Sequence, residues 1–244
     1  MNHPLLPRNV TRIEKEETFH FSCHPSVDCF TDCCRQLELA LTPYDVLRLK
    51  KGCGLHSGEF LDRYVIMEQE GHETLPRFYL TMVDDGRASC VFVSNVGCTL
   101  YQDRPGACRA YPMGRAAIRQ ADNSMDEFFV LLQESHCHGF KEQQEQNAST
   151  YSAEQELLIY NRYNDTVAAL LQHDQIRRGK LFSAKQIEQF TLALYDLDRF
   201  RTLLLAGELP GTIAIDETTR KRLGDDEELL LYAIPWLKDI LFKD

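Results

Sequence analysis

A chain of 244 residues holds one large domain or one domain with an appendage, on a prior of roughly 100–200 residues per domain. Apolar residues are 43% and charged residues 26%, the proportions of a soluble globular protein, which excludes a disordered chain, a collagen and a coiled-coil rod. A formal charge of −10 argues against a nucleic-acid binder, and no stretch reaches the ~18 uninterrupted apolar residues of a membrane span.

Residues 1–17 have no apolar core, and Glu14, Glu16 and Glu17 are foreign to a secretory signal, so a cytoplasmic location is expected. Thr42-Pro43-Tyr44-Asp45 places a capping threonine before a proline suited to a first helical turn. Val46, Leu47 and Leu49 continue that helix, and Gly52 or Gly54 ends it. Ser57 is expected to cap a second short helix through Phe60, Leu61, Tyr64 and Val65. Residues 78–83 and 88–94 flank Asp84-Asp85-Gly86 and predict a β-hairpin, and a further strand is expected at 127–132. The polar run 141–150 reads as a connector or an exposed helix edge. Beyond it, Ser152-x-x-Gln155, Ser183-x-x-Gln186 and Asp225-x-x-Glu228 are three capping-box signatures. Ile187, Phe190, Leu194, Leu197 and Leu204 form one apolar stripe, read as a packing surface with a partner groove as the alternative. Residues 229–242 are interrupted by Pro235, Lys238 and Asp239 and predict one or two core helices.

Nine cysteines carry the functional signal: Cys23, Cys29, Cys33, Cys34, Cys53, Cys90, Cys98, Cys108 and Cys137. None follows residue 137, so the chain is expected to divide into a cysteine-bearing part, 1–140, and a helical C-terminal segment, 141–244. Four sulfurs at Cys23, Cys29, Cys33 and Cys34 fall among polar neighbours such as Asp28 and Asp32, unlike buried structural cysteines. In a reducing compartment thiolates are soft anionic ligands for zinc or iron–sulfur centres, and an odd count argues against a disulfide framework. Cys98 and Cys108 lie beside glycine and proline in turns that can aim sulfurs at one point, Cys90 lies in an expected strand, and Cys137 sits between His136 and His138.

These segments resemble the YkgJ-type cysteine-cluster family, a zinc- or iron-chelating domain with a CxxCxxCC signature. The resemblance rests on Gly97-Cys98-Thr99-Leu100-Tyr101, Arg104-Pro105, Cys108-Arg109-x-Tyr111-Pro112, Cys33-Cys34-Arg35, Leu41-Thr42-x-x-Asp45 and Cys90 with Phe92, and it spans about residues 19–139. The chain departs from the signature at its start, where five residues separate Cys23 from Cys29 and three separate Cys29 from Cys33. His20 and His24 stand near Cys23 as substitute donors. Cys53 matches nothing in the pattern and closes a helix between Gly52 and Gly54, which leaves eight cysteines as ligands.

Adjacent side chains such as those of Cys33 and Cys34 diverge in an extended segment, which favours two metals, or two irons of one cluster, over one tetrahedral ion. Two zinc ions held by eight thiolates carry a net charge of about −4, so cations are expected nearby, with Arg35, Arg104 and Arg109 hydrogen-bonding sulfur or backbone. Arg115 is read equally as a solvated surface residue. His56, His72 and His173 are isolated, and neither a phosphate-binding glycine loop nor a metalloprotease or hydrolase motif is present. The fold expected is α+β and predominantly helical, with an irregular metal-stapled core, a small β-hairpin and a helical C-terminal segment. The function expected is chelation of zinc or iron, including an iron–sulfur centre, with a metal ion as partner and no nucleic acid or membrane. Two alternatives stand beside it. One is a metal- or iron–sulfur-dependent enzyme that modifies a protein, since a related cysteine motif is associated with flagellin lysine methylation. The other is a metal-delivery or interaction module whose helical tail docks a protein.

Overall fold

Met125–Leu132 is the central strand of a three-stranded antiparallel sheet, between Val10–Ile13 and Met113–Arg119, in a computed structural model that describes residues 7–71, 73–119, 125–211 and 215–243. Ile13 is opposite Phe129 and Leu131 is opposite Met113, and these four side chains are buried on one face of the sheet. The expected strand at 127–132 is therefore present, two residues longer at its start; both of its neighbours lacked a clear alternation and were not anticipated. Phe19, Phe21, Ala148, Tyr151 and Leu157 complete the apolar cluster on this face, and Cys137 packs against it.

The chain forms two units, each assembled from two separate stretches: Met1–Leu37 with Met82–Arg162, and Glu38–Thr81 with Tyr163–Asp244. Neither coincides with residues 1–140 or 141–244, because the helix-rich unit draws on an early segment as well as the tail. Eight of the nine cysteines belong to the first unit, and Cys53 belongs to the second.

In the second unit, Pro43–Cys53 is a helix with a reciprocal Thr42–Asp45 capping box and a left-handed Gly54 at its end, as the sequence predicts. The following helix is Ser57–Tyr64, but its N-cap is His56, and Ser57 is a buried first-turn residue whose hydroxyl donates to Asp196 at 2.6 Å. Arg77–Leu80 pairs with Val65–Glu68. The hairpin expected to run from 78 to 94 is accordingly split, because the Thr81 N–H and hydroxyl both bond to the Tyr64 carbonyl and end that ladder. The strands flanking Asp84-Asp85-Gly86 are only Met82–Val83 and Ser89–Cys90, in the first unit.

The predicted apolar stripe is carried by two helices, Ala184–Leu194 and Leu197–Ala206, with Phe190, Leu194, Leu197 and Leu204 buried. Ser183 with Gln186 forms the expected capping box, and Asp225 accepts the N–H groups of Glu227 and Glu228 at the start of Asp226–Phe242. That last helix is continuous through Pro235. Ser152 caps nothing: it is buried within Ala148–Glu154, whose capping pair is Asn147 with Thr150. Stacked Tyr44 and Tyr163, with centroids 4.3 Å apart, and stacked Phe78 and Tyr195 at 3.7 Å fill the core of this unit. Among the described residues helices and strands make up 46% and 17%, an α+β fold with more helix than sheet. Among the described residues no helix is long and apolar enough to cross a membrane. His72 lies outside the described residues.

Candidate metal centre

Five short connections position the cysteines of the first unit. Phe19–His20 pairs with Glu145–Gln146, and the Ser22 N–H donates to the Gly139 carbonyl at 3.1 Å, which lays the segment leading to Cys23 along the segment leaving Cys137. Gly139 is required there: a Cβ would stand 2.5 Å from Phe21 Cε2 and 2.8 Å from the Ser22 carbonyl oxygen. Gly139→Ala is expected to force these two segments apart at a cost of about 1–3 kcal/mol, read as a lower melting temperature with reduced metal content. Beyond Cys34, an Arg35–Ser89 bridge and the Gln36 N–H on the Ala88 carbonyl at 2.9 Å set the next segment beside Cys90. Cys98 lies on a two-residue strand pairing Gly97–Cys98 with Val93–Ser94. Gly97 has φ +118°, a backbone region open to glycine, and its missing Cβ leaves room for Phe30, whose Cζ would be 3.2 Å away.

Two groups of thiols result. In the first, the charges of Cys33, Cys29 and Cys137 act on Cys23, those of Cys29 and Cys33 act on Cys137, and Cys33 is hydrogen-bonded to Cys34. In the second, the charge of Cys98 acts on Cys90. Cys108 lies on the helix Gly106–Ala110 that follows Arg104-Pro105. Cys53 ends its helix in the other unit. None of the nine cysteines is in a disulfide.

Backbone amides are aimed at several of these sulfurs. The N–H two residues ahead hydrogen-bonds the sulfur at Cys90 (from Phe92), Cys98 (from Leu100) and Cys137 (from Gly139), and the His138 N–H donates to Cys29 Sγ at 3.1 Å. Such bonds favour the thiolate. Burial works against them and dominates, so the Cys90, Cys98 and Cys137 thiols all sit above their ordinary value. Cys23 is pushed up to about 11, first by desolvation and then by Cys33, Cys29 and Cys137, with Arg104 pulling it down. Cys33 is raised further, by its hydrogen bond with Cys34 before burial. Ligation requires the thiolate, so zinc or iron held by these sulfurs would be bound with release of protons.

The three arginines fare differently. Arg109 is buried and fully occupied: Nε donates to the Arg104 carbonyl at 3.1 Å, Nη1 to the Gln155 carbonyl and Glu156 Oε2 at 3.0 Å each, and Nη2 to the Gln102 carbonyl. It clamps backbone and bonds no sulfur. Arg35 holds the Thr31 carbonyl through Nη1 at 2.5 Å, while its Nε is buried without a partner. Arg104 is 8% exposed, donates through Nη2 to Gln155 Oε1, and lies over the Tyr101 ring at 3.8 Å. Its Nε and Nη1 have no partner. Arg115 pairs with Glu127 at 2.8 Å, on the sheet.

The remaining histidines are partly committed: His24 meets Glu142 at 3.4 Å and His136 meets Glu134 at 3.8 Å. His20 lies on the Phe19–His20 strand with its side chain exposed. His138 Nδ1 is buried without a hydrogen-bond partner beside the first thiol group. Sequence reasoning assigned no role to Tyr111 and Glu134. The Tyr111 hydroxyl donates to Glu134 Oε2 at 2.8 Å and also hydrogen-bonds the Cys137 thiol, and the Cys137 N–H closes a turn onto the Glu134 carbonyl at 2.9 Å. The phenol three residues beyond Cys108, within a segment already picked out for its cysteine, was the available signal.

Among the described residues, no three His, Cys, Asp or Glu side chains already surround one point at ligating distance. The residues still fit an anionic metal–thiolate group: soft donors are gathered in one unit, amide N–H groups are directed at sulfur, and a desolvated guanidinium lacks an acceptor for two of its nitrogens. Fold and site together define an α+β protein with eight cysteines in one unit. A family model named for the CxxCxxCC motif, with the description "Putative zinc- or iron-chelating domain", matches residues 22–146, just over half of the chain, and the protein belongs to that family. No curated protein and no solved structure matches the chain.

Proposed function

We propose that this protein chelates zinc or iron through cysteine thiolates of its first unit. Cys23, Cys29, Cys33, Cys34 and Cys137 would supply one set of donors, and Cys90 and Cys98, with Cys108, the other. The observation that carries this reading is the gathering of five thiols from sequence positions more than 100 residues apart at their extremes, with amide N–H groups directed at two of them. Buried spare cysteines have no need of that arrangement. Zinc or iron would be held by these sulfurs as thiolates, in place of their protons. The chain's own residues orient the donors: His138 N–H at Cys29, Gly139 N–H and the Tyr111 hydroxyl at Cys137. A closed set of four thiolates is structural, whereas a set with an open position is catalytic or exchangeable, and the five-thiol group has one donor beyond a tetrahedral complement.

Metal analysis with an absorption spectrum on anaerobically purified protein tests the reading. Colourless protein with about two zinc per chain is the outcome for one zinc at each donor set, whereas broad absorption near ~400 nm with acid-labile sulfide identifies an iron–sulfur centre. Protein with neither zinc nor iron overturns the proposal. Single serine substitutions at Cys33, Cys34, Cys98 and Cys108 are expected to lower metal content. Cys53→Ser, in the other unit, is expected to leave it unchanged; loss of one equivalent from Cys53→Ser would instead make that thiol a ligand.

A further inference from the structure

Arg104 is the buried charge that the first unit leaves least satisfied. Its residue is more than nine-tenths buried, its carbonyl is held by the Tyr160 hydroxyl and by Arg109 Nε at 3.1 Å each, and its guanidinium is pressed onto Tyr101. The backbone and the ring therefore fix where this side chain lies. One nitrogen reaches a neutral acceptor, Gln155, and among the described residues no carboxylate pairs with the guanidinium, while Nε and Nη1 have no hydrogen-bond partner. A desolvated cation in that condition is strongly unfavourable. Its charge acts on Cys23 in one thiol group and on Cys98 in the other, in both cases favouring the thiolate.

We propose that the guanidinium of Arg104 is the counter-cation of the metal–thiolate centre, serving both the thiol group that contains Cys23 and the hairpin that contains Cys98. This rests on the chelation reading above. It adds that one buried arginine neutralises charge created by loading both groups, and that the metal-free protein keeps this cation unpaired for that purpose. Arg109, equally buried but saturated by oxygen acceptors, has no such role.

The test is a titration of the metal-free protein with Co²⁺, followed by thiolate-to-cobalt absorption, together with thermal melts of metal-free and loaded protein for wild type, R104M and R104K. Methionine keeps the apolar packing over Tyr101 and removes the charge. R104M is expected to bind cobalt about 10–100-fold more weakly. Its metal-free form should melt no lower than metal-free wild type, because an unpaired buried cation is gone, whereas its loaded form should melt lower than loaded wild type. R104K, which keeps the charge without the planar fork, should recover part of the affinity. An arginine with only a structural role would lower both melts together and leave cobalt affinity unchanged, and that result would overturn the assignment. Wild-type protein that takes up no cobalt would remove the chelation reading itself; wild-type and R104M curves that coincide would remove only the role of Arg104.

Discussion

Removing the metal from the purified protein is expected to destabilise Met1–Leu37 with Met82–Arg162 and to leave Glu38–Thr81 with Tyr163–Asp244 largely unaffected. The first unit joins its cysteine-bearing segments through two-residue strands, single bridges and turns, which bury little apolar surface of their own. Its apolar cluster sits on the three-stranded sheet and touches the thiol groups only through Cys137. On the proposed chelation reading, bound metal would supply the missing cohesion. Structural zinc contributes about 10–16 kcal/mol in small peptides, and a ligand at 1,000 times its dissociation constant contributes about 4 kcal/mol by mass action. Hydrogen exchange before and after treatment with a strong chelator is the measurement. Faster exchange should concentrate at residues 21–36, 89–110 and 136–140, with the helices Ala184–Leu194 and Asp226–Phe242 unchanged. Uniform exchange before and after chelation would show that the thiols contribute nothing to stability.

Asp198→Ala is expected to cost the second unit about 3–5 kcal/mol, a fall in its melting temperature of roughly 6–20 °C at about 2–4 °C per kcal/mol. One carboxylate holds several groups. Asp198 Oδ2 accepts from Lys50 Nζ and from the Ser57 N–H at 2.8 Å each, and Oδ1 accepts from Arg201 at 2.8 Å. In return, the Ser57 hydroxyl accepts from the Asp198 N–H at 2.9 Å. The helices Ser57–Tyr64 and Leu197–Ala206 therefore cap each other, since neither N-cap residue bonds its own helix through its side chain. The Lys50 side chain is only 6% exposed and would keep Asp226 alone, at 2.7 Å. Asp198→Asn, which keeps the capping oxygen and loses the charge, should fall between wild type and alanine. An alanine variant within about 1 kcal/mol of wild type would refute the mutual capping.

The same carboxylate sets an acid limit. Burial alone would raise its pKa, but the Lys50 hydrogen bond, the Ser57 N–H, and the charges of Lys50 and Arg201 outweigh it and hold Asp198 at about 2. A folded-state pKa below the unfolded value of about 3.9 gives stability that is complete above that value and disappears as the pH falls through the folded one. Unit-resolved melts from pH 5 to pH 2 should show this loss, about 1–2 kcal/mol after allowance for solvent screening, and Asp198→Asn should remove that part of the pH dependence.

Local chemistry decided what the sequence alone could settle. Thr42-Pro43 with Asp45, Ser183 with Gln186, and Asp225 each begin a helix because a short polar side chain and the amides it caps are neighbours along the chain. The family was legible for the same reason: its cysteines and their neighbours are close along the chain, in a polar context where thiols have few other uses. Choices between distant partners required the folded chain. Ser57 looked like a cap and became a buried crosslink because Asp196 and Asp198 arrive from far along the sequence. Ser152 lost its capping role to Asn147 and Thr150, five and two residues earlier. Residues 78–94 alternate as one hairpin, yet Tyr64 captures Thr81 and sends the two halves to different units. Arg104 and Arg109 are alike in sequence context, but saturation of one by backbone carbonyls and isolation of the other depend on Gln102, Gln155 and Glu156. Spacing records which side chains are near along the chain; a buried charge is judged by the acceptors that the tertiary fold brings to it.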